Sequence, residues 1–148
     1  FYGVLRPFDG VSPYRLEMQA KLKTEDCGNL YEFWGGLLGD FLLKEDTVLV
    51  NLASEEYAKA VRPYVKGKAR FITCVFAEES EPGKLVEKGV YVKMARGEMV
   101  RFAAEHGVES PEGLKEFRRL GYSFAEELSG EDTYVFRRKP ENQKKMPG

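Results

Sequence analysis

The sequence has 148 residues, of which 43% are hydrophobic and 13% aromatic, and its 23 Lys and Arg residues nearly balance 24 Asp and Glu residues. That length and apolar content support one packed domain and exclude global disorder. A formal net charge of −1 excludes a uniformly basic nucleic-acid binder, so any polyanion site must be a local cluster of cations.

The same composition excludes several other classes of protein. No apolar run reaches the ~20 residues that a membrane-spanning helix needs, and no basic flank precedes an apolar stretch at the start, so we expect a cytoplasmic protein with no membrane partner. Cys27 and Cys74 are too few for a disulfide scaffold and are expected to be reduced thiols. The single histidine, His106, disfavours Ser-His-Asp catalysis and zinc sites built on two imidazoles. We predict no metal and no cofactor.

In chain order, the first half predicts strands alternating with helices. The chain begins at Phe1 inside an apolar stretch, which we interpret as the interior of a longer protein. Residues 14–18 alternate apolar and charged side chains, which is typical of a strand. Asn29 with Glu32 three residues later predicts a capped helix to about residue 43. A buried strand over 47–52 and a short helix over 54–61, ended by Pro63, follow.

The second half predicts a hairpin, two helices and two short strands. A strand over 69–77, an acidic turn over 78–83 and a weaker strand over 84–90 form the predicted hairpin. Ser110-Pro111-Glu112 is typical of a helix start, and we expect Gly121 to end that helix. Strands are predicted at 122–124 and 133–136. The predicted fold is therefore α+β, a mixed α/β single domain over residues 1–138, with a polar flexible tail over 139–148.

Residues 92–105 predict the most informative helix. At 100° per residue, one apolar arc collects Val92, Ala95, Met99, Phe102 and Ala103. Roughly the opposite side collects Lys93, Arg96, Arg101 and the small residue Gly97. Three cations thus share a predicted face with a glycine, which would allow close approach of a ligand or another backbone.

Several segments in a fixed order resemble the YaaA family of bacterial peroxide-stress proteins. They are YGVLRP at 2–7, PYRLEM at 13–18, LYEFW at 30–34, NLASEEY at 51–57, KMARG at 93–97, GYSF at 121–124 and FRR at 136–138. The resemblance implies that this chain is the C-terminal portion of a longer protein. It also implies peroxide resistance, a link to limiting intracellular iron, and binding of double-stranded DNA through a positively charged cleft. The missing N-terminal portion would then be a second partner.

The residues that we expect to bind DNA phosphates come from separate parts of the chain: Arg6, Arg15, Lys93, Arg96 and Arg101, with Arg137 as a further candidate. Phosphate binding requires cations that converge on one groove, and Arg can hold phosphate oxygens through two parallel hydrogen bonds. The alternative is that these are solvated helix charges paired with Glu98 and Glu105.

Four polar residues are candidates for supporting this cluster: Glu17, Asn51, Ser54 and Glu55. A carboxylate beside an Arg can fix its orientation, and a strand end followed by a helix start is a common ligand position as well as ordinary helix capping. No residue is assigned a catalytic role, because we favour a non-enzymatic DNA-binding protein. The alternatives are an enzyme for a phosphate-bearing or nucleotide-like small molecule, using Lys93 with Glu17 or Glu55, and a scaffold half that needs its N-terminal partner.

Overall fold

A computed structural model describes residues 2–6, 8–13, 15, 17–20, 23–81 and 83–139. The chain divides into two compact units, the first made of residues 1–49 and 53–71 and the second of residues 50–52 and 72–148. Helices together with a mixed five-stranded sheet confirm the predicted α+β class. Within the described ranges, no helix has both the length and the apolar character needed to cross a membrane. Of the predicted tail, only Lys139 is described, and residues 140–148 lie outside the described part.

Between residues 29 and 45, the first unit contains two helices where the sequence predicts one. Asn29 caps α1 (Leu30–Trp34), with its Oδ1 accepting the backbone N–H of Glu32 and its Nδ2 donating to Glu32 Oε1 at 2.7 Å. The cap is therefore confirmed. The single helix is wrong, because Gly35 takes a left-handed φ of 45° that ends α1 before α2 (Leu37–Glu45) begins.

The strand predicted over 14–18 is wrong for its described residues. Arg15 and Glu17 lie outside any strand, and Met18 lies in a turn closed by the Ala20 N–H donating to the Glu17 carbonyl at 2.9 Å. Residues 14 and 16 are outside the described part. The Met18 N–H donates to Glu56 Oε1 at 2.8 Å instead of to a neighbouring strand, so a side chain takes the hydrogen bond that a sheet would supply.

The helix predicted over 54–61 is present but shorter, as α3 (Glu55–Ala58), and a helix that was not predicted follows it, α4 (Arg62–Val65). Pro63 does not end a helix. It occupies the first turn of α4, where the missing N–H of proline costs nothing. Helix α2 packs on α4 through Gly39, where an added Cβ would lie 2.9 Å from the Cβ of Tyr64.

The sheet has the strand order β1-β2-β5-β4, with β3 pairing β2 off this path. Its strands are β1 (Val48–Asn51), β2 (Arg70–Glu81), β3 (Lys84–Val86), β4 (Tyr122–Phe124) and β5 (Thr133–Arg138). The β2–β3 hairpin is antiparallel as predicted, whereas β2 and β5 are parallel. Strand β2 extends into the predicted acidic turn, and β3 is shorter than expected. Strand β1 is mostly half-buried or exposed, so its expected full burial is wrong.

The core of the second unit lies between the sheet and α5 (Gly89–Glu105). The predicted apolar arc of α5 is confirmed for Val92, Ala95, Met99 and Phe102, which are all buried. The next helix is a 3-10 helix over Pro111–Glu116, so it begins as predicted but ends well before Gly121. It ends there because Phe117 turns inward, fully buried, with its ring 5.6 Å from Phe102 and 6.0 Å from Phe76. A second 3-10 helix spans Glu126–Leu128.

Candidate functional site

One flank of α5 presents cations without carboxylate partners. We define this cationic flank as Lys93, Arg96, Gly97 and Val100. Lys93 is exposed and Arg96 is half-buried, and neither makes an ion pair with any described residue. The Arg96 Nε is buried and has no hydrogen-bond partner within the described part of the chain. A buried guanidinium N–H without an acceptor is energetically costly.

Gly97 leaves the cationic flank open. Apart from Gly97, its two chain neighbours and the backbone of the helix itself, no heavy atom of the described residues lies within 4 Å of the position that a Cβ would take here. The neighbouring Val100 is also 58% exposed. The predicted close approach at Gly97 is therefore not made by another described part of this chain, and the surface beside the two cations is available to a ligand.

Arg101 belongs to a different part of the helix surface. Its Nε donates to Glu105 Oε1 at 2.7 Å, and Arg119 bonds the other oxygen of Glu105 at 2.5 Å and Glu98 Oε2 at 3.3 Å. We call Glu98, Arg101, Glu105 and Arg119 the surface network. Hydrogen bonds from Arg119 and then Arg101 lower the pKa of Glu105 to about 2. The pairing that the sequence offered as an alternative thus applies to Arg101 but not to Lys93 or Arg96.

Arg6 and Arg15 lie in the first unit and are exposed. The backbone N–H of Arg6 donates to Asp9 Oδ2 at 2.7 Å, which forms a local turn. The gathering of Arg6 and Arg15 with Lys93 and Arg96 stays a prediction. Arg137, the further candidate, lies 3.0 Å from Glu127 Oε1 and is therefore already paired.

The two candidate glutamates have different surroundings. Glu55 holds the guanidinium of Arg62 through two parallel hydrogen bonds of 2.9 Å. This hydrogen bonding lowers the pKa of Glu55, which favours a charged structural carboxylate over a proton donor. Glu17 is exposed and makes no ion pair with Arg15, and its role as a supporting carboxylate stays a prediction.

Asn51 and Ser54 follow β1 in sequence. Asn51 is buried and its Nδ2 donates to Thr73 Oγ1 at 3.4 Å, which connects the end of β1 to β2. Ser54 occupies the N-cap position of α3, and its carbonyl accepts the N–H groups of Tyr57 and Ala58. Its hydroxyl makes no capping hydrogen bond, so the expected side-chain cap is wrong.

A buried ionic group in the second unit was not predicted from the sequence. Glu78 is 0% exposed and Arg138 is 1% exposed, and Arg138 Nη2 donates to Glu78 Oε1 at 2.5 Å. The two residues are register partners on the parallel strands β2 and β5, and Tyr122 is the partner of Arg138 on β4. Three neighbouring strands therefore contribute one side chain each to a single polar row.

Residues around α5 complete this buried group. Lys88, the residue before α5, places its Nζ 2.9 Å from Glu78 Oε2. The guanidinium of Arg138 stacks 4.4 Å above the ring of Tyr91 in the first turn of α5. Burial raises the pKa of Tyr122 to about 12, so its phenol stays protonated. The group connects the start of α5 to the sheet. The sequence signal was weak because Glu78 falls in an acidic run that is typical of a turn.

The structure also bears on the reactivity of the two cysteines and on metal binding. Both cysteines are free, and burial raises the pKa of Cys74 to about 12, which leaves its thiol unreactive at neutral pH. Among the described residues, no three His, Cys, Asp and Glu side chains form a group that could hold a metal ion.

Comparison with known proteins identifies the family. The family model of the peroxide stress protein YaaA matches residues 1–128. The chain belongs to the YaaA family. Relatives of this family include UPF0246 proteins of Desulfitobacterium hafniense, 54% identical over 92% of this chain, and of Agathobacter rectalis, 52% identical over 94%. A relative from Pediococcus pentosaceus is 51% identical over 92% of the chain.

The comparisons also show how much of the length of each relative this chain matches. The match covers 54% of the Desulfitobacterium hafniense protein, 55% of the Agathobacter rectalis protein and 54% of the Pediococcus pentosaceus protein. The chain therefore spans about half the length of the curated relatives that it matches. The resemblance inferred from the sequence segments is confirmed.

Proposed function

We propose that this YaaA-family chain contributes a DNA-binding surface to a peroxide stress protein, and that the cationic flank of α5 contacts the phosphate backbone. The observation that carries the proposal is the contrast along one helix. Lys93 and Arg96 have no carboxylate partner among the described residues, whereas Arg101 is held by Glu105 at 2.7 Å. Free cations can exchange their counterions for phosphates, and a paired cation must first give up its carboxylate.

The chemistry of the flank supports backbone contact without base readout. The half-buried guanidinium of Arg96 can donate hydrogen bonds to phosphate oxygens through its exposed part, and the exposed ammonium of Lys93 adds a point charge. The open space beside Gly97 accommodates a phosphate or sugar edge. Contacts of this kind position a duplex but carry no sequence information, so we expect little sequence preference.

The experiment is a salt titration of duplex binding. We expect the chain to bind a fluorescein-labelled 20-bp duplex at 25 mM KCl and to lose affinity linearly in log salt. Replacing both cations, Lys93→Ala with Arg96→Ala, should reduce the magnitude of that slope by about 1.8, because each phosphate that is no longer neutralised removes about 0.9. Fluorescence anisotropy across 25–200 mM KCl measures the slope.

A matched control separates this flank from charge in general. Lys44→Ala with Lys66→Ala removes the same charge from exposed positions in the first unit, and should leave the slope within about 0.3 of the wild-type value. Wild-type chain that does not bind at 25 mM KCl would contradict the proposal. Equal slopes for the two double variants would also contradict it.

The link to intracellular iron belongs to the same proposal. Ferrous iron reacts with peroxide to produce radicals that cleave DNA, so protection of DNA and limitation of iron serve one purpose. Cells that express the full-length protein should hold less chelatable iron under peroxide than cells without it, as measured by whole-cell electron paramagnetic resonance of the chelated ferric form. Unchanged iron together with retained DNA binding would remove the iron link and leave the binding proposal standing.

A further inference from the structure

The two units differ in how many of their apolar side chains are buried and how many are exposed. Among the described residues, the second unit buries fifteen hydrophobic residues and exposes seven large ones. The first unit buries only five, two of them alanines, and exposes ten large ones. Burial of apolar area is the main stabilising contribution to folding, so the first unit leaves much of that contribution unused.

Helix α2 shows this most clearly. It carries five large apolar residues, Leu37, Leu38, Phe41, Leu42 and Leu43, yet its only buried residue is Gly39. Gly39 is the point at which α2 touches α4, with Tyr64 and Val65 as its neighbours. The apolar side chains of α2 are half-buried or exposed, and Leu37 and Phe41 are 66% and 44% exposed. A helix with so wide an apolar arc is normally covered on more than one side.

An apolar groove adjoins this helix. It has a volume of about 320 Å³ and is lined by residues without charge, among them Tyr2, Val4, Trp34, Leu38, Tyr57 and Val61. One wall is formed by residues 2–5, where an added Cβ at Gly3 would lie 3.1 Å from the indole of Trp34. A lining without a cation disfavours phosphate or nucleic acid and favours apolar side chains.

We propose that this apolar surface, the groove together with the Leu37 and Phe41 side of α2, is the docking site for the part of the full-length family protein that this chain does not match. The curated relatives are nearly twice as long as the matched stretch, since the match covers 54% of the Desulfitobacterium hafniense protein. About half of each such protein must therefore pack somewhere. Exposed apolar surface marks interaction sites, and among the described residues ten of the seventeen exposed large apolar side chains lie in the first unit.

The test joins this chain to the unmatched part of the Desulfitobacterium hafniense relative in one polypeptide. Hydrogen–deuterium exchange is then compared between the fusion and the chain alone. We expect backbone amides of residues 30–45 and 53–61 to exchange at least about tenfold more slowly in the fusion, because docking suppresses local opening. Peptides covering residues 126–131 in the second unit should exchange equally in both.

Matched variants test the surface itself. Leu37→Asp with Phe41→Asp should change the melting temperature of the chain alone by no more than about 2 °C, because both positions are exposed, but should lower that of the fusion by at least about 5 °C. Val90→Asp with Met94→Asp is the control, since these residues have the same spacing on α5 and are 71% and 46% exposed. This control pair should leave both melting temperatures within about 2 °C of their wild-type values.

Three results would overturn the proposal. The first is equal exchange of residues 30–45 in the fusion and in the chain alone. The second is a concentration-dependent dimer of the chain alone that protects the same amides, because the occupant would then be a second copy. The third result applies if the fusion fails to fold, in which case hydrogen–deuterium exchange is measured on the full-length relative. Rapid exchange of the segment of the relative that aligns with residues 30–45 would then contradict docking.

Discussion

The second unit holds two groups of ion pairs that look alike in geometry and differ in burial. In the buried group, Arg138 donates to Glu78 at 2.5 Å, and in the surface network Arg119 donates to Glu105 at the same 2.5 Å. The side chains of Glu78 and Arg138 are 0% and 1% exposed, and those of Glu105 and Arg119 are 42% and 26% exposed. Distance alone therefore does not measure the energetic weight of an ion pair, because water screens one group and is excluded from the other.

The largest expected effect comes from removing the buried carboxylate. Glu78→Gln leaves the guanidinium of Arg138 buried without a counter-charge, and should lower the free energy of unfolding by about 3–5 kcal/mol. Urea denaturation followed by circular dichroism measures it. Glu81→Gln on the same strand is the control, because Glu81 is exposed and 3.9 Å from Lys84, and should change stability by less than about 0.5 kcal/mol. Equal losses for the two variants would mean that burial does not decide the difference.

A smaller loss is expected when both buried charges are removed together. Glu78→Leu with Arg138→Met replaces the pair by apolar side chains and leaves no uncompensated charge between them. We expect this double variant to be more stable than Glu78→Gln by at least about 1 kcal/mol, measured by the same denaturation. A double variant that is less stable than Glu78→Gln would show that the hydrogen bonds of the pair outweigh the cost of burying its charges.

The contribution of the surface network to the free energy of unfolding should be detected mainly through its dependence on pH. The pKa of Glu105 falls from an ordinary 4.5 to about 2, so folding stabilises its ionised form. That contribution is complete above pH 4.5 and is lost as the pH falls towards 2. The difference in urea midpoint between wild type and Glu105→Gln should therefore shrink between pH 6 and pH 3. A difference in midpoint that is equal at pH 6 and at pH 3 would contradict this stabilisation of the ionised Glu105.

At the cysteines we expect burial to change the rate of chemical modification rather than the stability of the protein. Cys74 is 2% exposed with a pKa of about 12, and Cys27 is half-buried beside the Thr24 hydroxyl. At pH 8, iodoacetamide should modify Cys27 at least about a hundredfold faster than Cys74, as followed by intact mass. In urea the two rates should converge. Comparable rates in the folded protein would contradict the burial of Cys74.

Local features of the fold were predictable because local physics determines them. The Asn29 cap, the β2–β3 hairpin and the buried arc of α5 all follow from neighbours in sequence. The errors have equally local causes that pattern alone did not weigh. Gly35 divides a helix that is apolar on both sides of it, and Pro63 begins a helix that it was expected to end. In both places the periodicity was right and the backbone conformation of one residue decided the element.

The candidate site was only partly predictable. The spacing of Lys93, Arg96 and Arg101 identified the helix that carries the cations, but not which of them are free. Arg101 is ion-paired with Glu105 on its own helix. Glu105 is also bonded by Arg119, which follows α5 in the sequence. Glu78 was assigned to an acidic turn because nothing near it in sequence shows that β2 continues past it.

The sequence by itself determined the family of this protein, its α+β class and the face of α5 that is buried, because residue order and apolar periodicity act over a few neighbouring residues. Only the tertiary structure decided which charges are paired. Glu78 and Arg138 are 60 residues apart in sequence and meet because parallel strands bring them into register. Electrostatic partners are chosen by distance in space and by exclusion of water, and neither quantity is written in the order of the residues.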